Sequence, residues 1–107
     1  MNPRSPSHLD HVRNDDAYAD ILAGWDAAFY AKFTDTLRPT TPGGRLLDIG
    51  CGVGQVVATL TREGFEAHGV DVAAPNIDRT RAFTDRCLLY DGGHLPYPDN
   101  HFDTVGA

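Results

Sequence analysis

The chain has 107 residues, a length that holds one domain at most. With 41% hydrophobic and 22% charged residues, its composition is that of an ordinary globular protein rather than a disordered or membrane-embedded one. A formal net charge of −6 excludes a general affinity for nucleic acid or an anionic membrane surface.

No apolar run reaches the length of a membrane span and no apolar signal core opens the chain, so the cytoplasm is the expected compartment. Residues 1–16 are rich in proline and serine without hydrophobic periodicity, which reads as a mobile tail. His8 and His11 sit three apart in it, but nothing nearby supplies a third ligand, and no metal site is expected. Over residues 17–38 the pattern changes. Tyr18, Leu22, Trp25, Phe29, Phe33 and Leu37 recur every three or four positions, as on one face of an amphipathic helix. Asp15 and Asp16 offer an N-cap, and Pro39 stops the helix. An aromatic face of this kind packs into a core, while Tyr18 and Trp25 are the candidates for a lid over a bound ligand.

After a Pro/Thr/Gly connector, residues 45–49 form a short apolar run that ends at Asp48-Ile49. Glycines then alternate at 50, 52 and 54, and Val53, Val56, Val57 and Leu60 take helical spacing. The order is strand, tight turn, helix N-terminus. A helix N-terminus presents free N–H groups and a partial positive charge, and glycines let a ligand approach the backbone closely. The loop therefore suits an anionic group of a nucleotide-type ligand. A dinucleotide fingerprint needs its third glycine where Gln55 stands, and a phosphate-binding P-loop needs a lysine that is absent. Asp48 would repel phosphates but suits an ammonium group. S-adenosylmethionine satisfies both ends, its amino group near Asp48 and its carboxylate at the helix N-terminus.

Leu46-Leu47-Asp48-Ile49-Gly50-Cys51-Gly52-Val53-Gly54 resembles the first motif of class I S-adenosylmethionine-dependent methyltransferases, of the small-molecule, type 11-like kind. The resemblance implies that Asp48, Gly50, Cys51, Gly52 and Gly54 contact the cofactor, with Cys51 in a small-residue slot between glycines. Cys51 and Cys87 are not spaced as a redox or zinc pair, so packed thiols are expected for both.

Gly64 ends the helix, and a second strand runs over residues 67–72. Asp71 falls at its carboxyl end, about twenty residues past the loop, where a carboxylate accepts hydrogen bonds from ribose hydroxyls. Gly69-Val70-Asp71 resembles the family's second motif, and Val72 would lie against the adenine. Asp71 also suits an ordinary helix N-cap, and the two roles are compatible. Residues 76–86 read as a polar, partly exposed helix, and residues 87–90 as a third strand. In related methyltransferases an acidic and a small residue follow that strand. The resemblance implies that Asp91 accepts from the adenine amino group and that the Gly92 N–H donates to a ring nitrogen. His68, His94 and His101 are read as bystanders.

The resemblance covers residues 17–107. It implies an α/β fold, a partial doubly wound, Rossmann-like parallel sheet with strands 3-2-1-4, in which the helix at 17–38 precedes a cofactor-binding half-sheet at 44–107. Strand four begins near Phe102, and the C-terminal half of the family's domain is expected to be absent. Its edge would then be exposed and open to self-association. Three functions follow from the residues. The first is the S-adenosylmethionine-binding part of a methyltransferase acting on a small-molecule acceptor, inactive or weakly active alone. The second is a non-catalytic fragment that binds S-adenosylmethionine or S-adenosylhomocysteine, or an interaction module, and the third is a half-domain of a dinucleotide oxidoreductase, which Gln55 and Asp48 disfavour. No catalytic residue is assigned.

Overall fold

The computed structural model describes residues 20–23 and 26–107 of the chain. The expectations for the tail, for the Asp15/Asp16 cap and for Tyr18 and Trp25 fall outside them. Four strands form one sheet: β1 (Arg45–Ile49), β2 (Glu66–Asp71), β3 (Cys87–Leu89) and β4 (Thr104–Gly106). Their order is β3-β2-β1-β4, and every pairing is parallel, as expected. Three helices connect or flank them: α1 (Ala27–Leu37), α2 (Gln55–Arg62) and α3 (Ala74–Thr80).

Side chains alternate along a strand, so the register puts Leu46, Asp48, Ala67, Gly69, Cys87 and Gly106 on one face of the sheet. The helices cover that face. Leu46 and Ala67 share a buried cluster with Leu37 of α1, Val57 and Leu60 of α2, and Ile77 of α3. Each fully buried leucine or valine there contributes about 1.5–3 kcal/mol. Gly106 lies so close under α1 that a Cβ would meet Leu37 Cδ2 at 2.9 Å. The opposite face carries Leu47, His68 and Val105, and the segment after β3 covers part of it. His68 meets the rings of Phe102 and Tyr97 edge-on at 5.2 and 5.7 Å.

The N-terminal helix differs from its expected course. A helical turn at residues 20–22 precedes α1, which starts afresh because Asp26 caps it, accepting the Phe29 N–H at 3.0 Å. Of the expected face, Leu37 still lies in the core, with Leu22 and Phe33 packed against it. Phe29, expected in the core, is 74% exposed, while Thr34 and Leu37 are buried. Arg38 then ties the end of α1 to the end of α2, bonding Asp35 and, at 2.6 and 3.0 Å, both carboxylate oxygens of Glu63.

Helix α2 follows the sequence closely. Gly54 precedes it and Gly64 follows at φ +100°, with the Phe65 N–H bonded to the Leu60 carbonyl and the Gly64 N–H to that of Thr61. Helix α3 is shorter and earlier than residues 76–86. It starts at Ala74, carries proline in its first turn and ends at Thr80, after which Phe83 folds back into the core. Among the described residues no helix is long and apolar enough to cross a membrane.

Candidate functional site

The loop between β1 and α2 is clamped from both sides. The N–H groups of Gly50 and Cys51 both donate to the Val70 carbonyl, at 2.8 and 2.9 Å, fastening the turn to the end of β2. Gly50, Gly52 and Gly54 have φ of +80°, +59° and +93°, which L side chains rarely adopt. The glycines differ in surroundings. A Cβ on Gly50 or Gly52 would meet nothing within 4 Å, so open space lies over both. A Cβ on Gly54 would strike the Phe83 ring at 2.8 Å, so that glycine also lets α3 close against the loop.

Asp71 is joined to the same loop. Its Oδ2 accepts the Gly52 N–H and its Oδ1 the Ala73 N–H, both at 2.8 Å. Burial pushes this carboxyl up, but those donors, with the Asn76 side chain, outweigh burial and hold it below its ordinary value. It is ionised at neutral pH. The N-cap role weighed for Asp71 falls to Ala73, which has no capping side chain.

Asp48 is the electrostatic counterpart. It is 4% exposed, and burial, then the neighbouring Asp71 charge, pushes its carboxyl up to about 7. A cation placed beside it would relieve both effects. Asp48, Ile49, Gly50 and Cys51 line a cavity of about 400 Å³ together with Tyr30 and Phe33 of α1, Val56 of α2 and Ala107. The first residues of α2 point unpaired N–H groups from the same loop.

Asp71, Val72, Asp91 and Gly92 do not line that cavity; they continue along the carboxyl edge of the sheet beside it. Val72 is 62% exposed, and a Cβ on Gly92 would lie 3.6 Å from its Cγ1, so the two positions adjoin. Asp91 Oδ1 accepts the N–H groups of Gly93 and His94 at 2.7 and 2.9 Å, which hold the exposed carboxylate low. Leu89, directly paired with Asp71 and half exposed, adds an apolar surface on that edge. Tyr30, Phe33, Val56 and Leu89 were not singled out for the site from the sequence. Asp26, a capping residue one position before the alanine pair, was the visible signal for where α1 starts.

Among the described residues no group of three or more His, Cys, Asp or Glu is arranged to hold a metal ion. A second hollow of about 540 Å³ lies on the opposite face, between Leu47, Val105 and residues 93–102. None of the predicted cofactor residues lines it.

Comparison with known proteins gives the family. The methyltransferase domain family matches residues 47–107. The chain is 32% identical over 101 residues to the ubiquinone/menaquinone biosynthesis C-methyltransferase UbiE of Azotobacter vinelandii, covering 84% of this chain and 40% of that protein. The enzyme of the same name from Cupriavidus pinatubonensis is 28% identical, with 84% and 41% covered. The chain thus spans about 40% of the length of these curated relatives. Among solved structures, a chain of the Haloferax volcanii complex of the Trm112 methyltransferase activator with a methyltransferase aligns with a TM-score of 0.60 at 26% identity, over 84% of this chain and 43% of that one. The [4+2]-cyclase SpnF aligns with a TM-score of 0.55 at 32% identity, over 69% and 32%. With its sheet order, glycine loop and motif residues in these places, the chain belongs to the class I S-adenosylmethionine-dependent methyltransferase family.

Proposed function

We propose that this chain provides the S-adenosylmethionine-binding part of a methyltransferase that acts on a small-molecule acceptor. The observation that carries the reading is the pairing of Asp71 with the Gly52 N–H beside a buried Asp48 whose carboxyl sits near 7. One carboxylate is fixed and ionised for hydroxyls, and the other gains most from a cation.

The residues fit the ligand in sequence along the edge. Asp48 would face the ammonium, and the start of α2 with the Gly50–Gly54 backbone would take the carboxylate. Asp71 would accept from the ribose hydroxyls, and Val72 with Leu89 would lie against the adenine. Asp91 would accept from its amino group while the Gly92 N–H donates to a ring nitrogen. Tyr30 and Phe33 line the cavity beside Asp48. When bound, the cofactor supplies an already activated sulfonium methyl. The chain's own part is to orient it and to keep water from the Asp48 end. No residue here is given a proton-transfer role, since a base is needed only when the acceptor atom must lose a proton.

The relatives' names make a ubiquinone or menaquinone precursor the first acceptor to assay. A cytoplasmic setting is part of the reading. A second reading, ligand binding without methyl transfer, is favoured by the likeness to a protein named as a cyclase, because a shared fold does not fix the reaction. Calorimetric titration with S-adenosylhomocysteine and with NAD tests the site. Binding of the first alone is expected, and binding of NAD alone refutes the proposal. Methyl transfer by this chain, and by a version extended beyond Ala107, then separates the two readings.

A further inference from the structure

The two cysteines are distant in sequence, yet their sulfurs meet in space. A Cβ built on Gly69 would lie 2.8 Å from Cys51 Sγ and 3.1 Å from Cys87 Sγ. Gly69 pairs directly with Cys87 across β2 and β3, and the Cys51 N–H bonds to the next β2 carbonyl, that of Val70, at 2.9 Å. The missing side chain at 69 is therefore what lets both sulfurs share one volume. Both thiols are free and buried. They are not equally enclosed, because Cys51 lines the 400 Å³ cavity while Cys87 is 0% exposed.

We propose that Cys51 and Cys87 are an oxidisable dithiol, closed to an intramolecular disulfide by a hydroperoxide small enough to enter the cavity. Cys51 Sγ, having lost its proton to solvent, attacks the peroxide O–O bond. The sulfur takes one oxygen as a sulfenic acid, and the hydroxide that leaves is protonated to water. Cys87 Sγ then attacks the Cys51 sulfur, and its proton goes out with the departing oxygen as a second water. Two thiols lose two electrons, and hydrogen peroxide becomes two waters. The hydrogen bond with Cys87, then burial and the nearby Asp48 and Asp71 charges, hold the Cys51 thiol above its ordinary value. That same bond, with Thr80 and Arg81, outweighs burial and Asp48 and lowers Cys87. Closure that begins at Cys51 is therefore slow at neutral pH and faster in alkali.

The bridge acts on the ligand loop. It draws the sulfurs to about 2.05 Å and removes the contact of the Cys51 thiol with the Gly52 carbonyl at 3.6 Å. Gly52 is the residue whose N–H holds Asp71. Oxidation thus ties the turn between β1 and α2 to β3. The chemistry does not depend on which ligand that turn holds.

The test is to incubate the 107-residue chain with hydrogen peroxide in mild alkali and measure intact mass and alkylatable thiols under denaturing, non-reducing conditions. The expected result is a monomer lighter by two hydrogens with both thiols blocked. Peptide mapping should link Cys51 to Cys87, and dithiothreitol should reverse the change. Cys87→Ser, checked for folding by circular dichroism, should lose the two-hydrogen change. Thiols that stay alkylatable, or oxidation only to sulfinic acid or to disulfide-linked dimers, overturn the proposal.

Discussion

Replacing Asp48 by asparagine tests the electrostatics of the site most directly. In the folded chain its carboxyl keeps a proton up to about pH 7, while in the unfolded chain it loses the proton near the ordinary value of 3.8. Between those values the folded state binds more protons, so this group lowers stability as pH rises through that window and levels off above about 7. The gap from 3.8 to about 7 corresponds to about 4 kcal/mol. An asparagine side chain at this position is close in shape to the protonated acid and does not titrate. Urea unfolding should therefore show the advantage of Asp48→Asn over wild type growing by up to about 3 kcal/mol between about pH 5 and about pH 8. S-adenosylhomocysteine affinity should move the other way. In wild type it should rise from about pH 6 to about pH 8, as the ionised carboxylate that pairs with the ammonium becomes populated, and in the variant it should be weaker and flatter. A stability difference that does not vary with pH, or that grows toward acid, refutes the reasoning.

Asp71→Ala should weaken S-adenosylhomocysteine binding by about 1–3 kcal/mol in calorimetry, the scale of losing charge-assisted hydrogen bonds and orphaning the Gly52 N–H. Gly52→Val should abolish binding, because a branched residue strains the +59° backbone and fills the open space over it; full affinity in a folded variant counts against the loop assignment. Gly54→Ala should lower stability by about 1–3 kcal/mol in thermal or urea unfolding, since its Cβ meets the Phe83 ring at a φ of +93°. Val105→Lys, on the half-exposed edge strand β4, should reduce concentration-dependent association in sedimentation or light scattering if copies pair there.

The glycine loop was legible because its demands are local. Positive φ at 50, 52 and 54 and the start of α2 are properties of a few neighbouring residues, and glycine is the residue that answers them. The placement of Asp71 at the end of β2 followed from strand length in the same way. The N-terminal helix was legible in type and, at Leu22, Phe33 and Leu37, in its inward face, while its start and the exposure of Phe29 were not. A spacing of three and four ran smoothly through Asp26, whose side chain caps the start of α1, where Phe29 stays outside and Tyr30 lines the cavity. Helix α3 was placed late, since Phe83, which looked helical, is instead needed as packing under Gly54.

Short motifs and hydrophobic period were enough to name the family, the strand order expected of it and the residues proposed to face the ligand, because each is a matter of near neighbours in the chain. The protonation of Asp48, the engagement of both Asp71 oxygens and the meeting of Cys51 with Cys87 across Gly69 came only with the packed fold. Those depend on burial and on groups from different strands approaching within a few ångströms, and no local pattern in the chain records such distances.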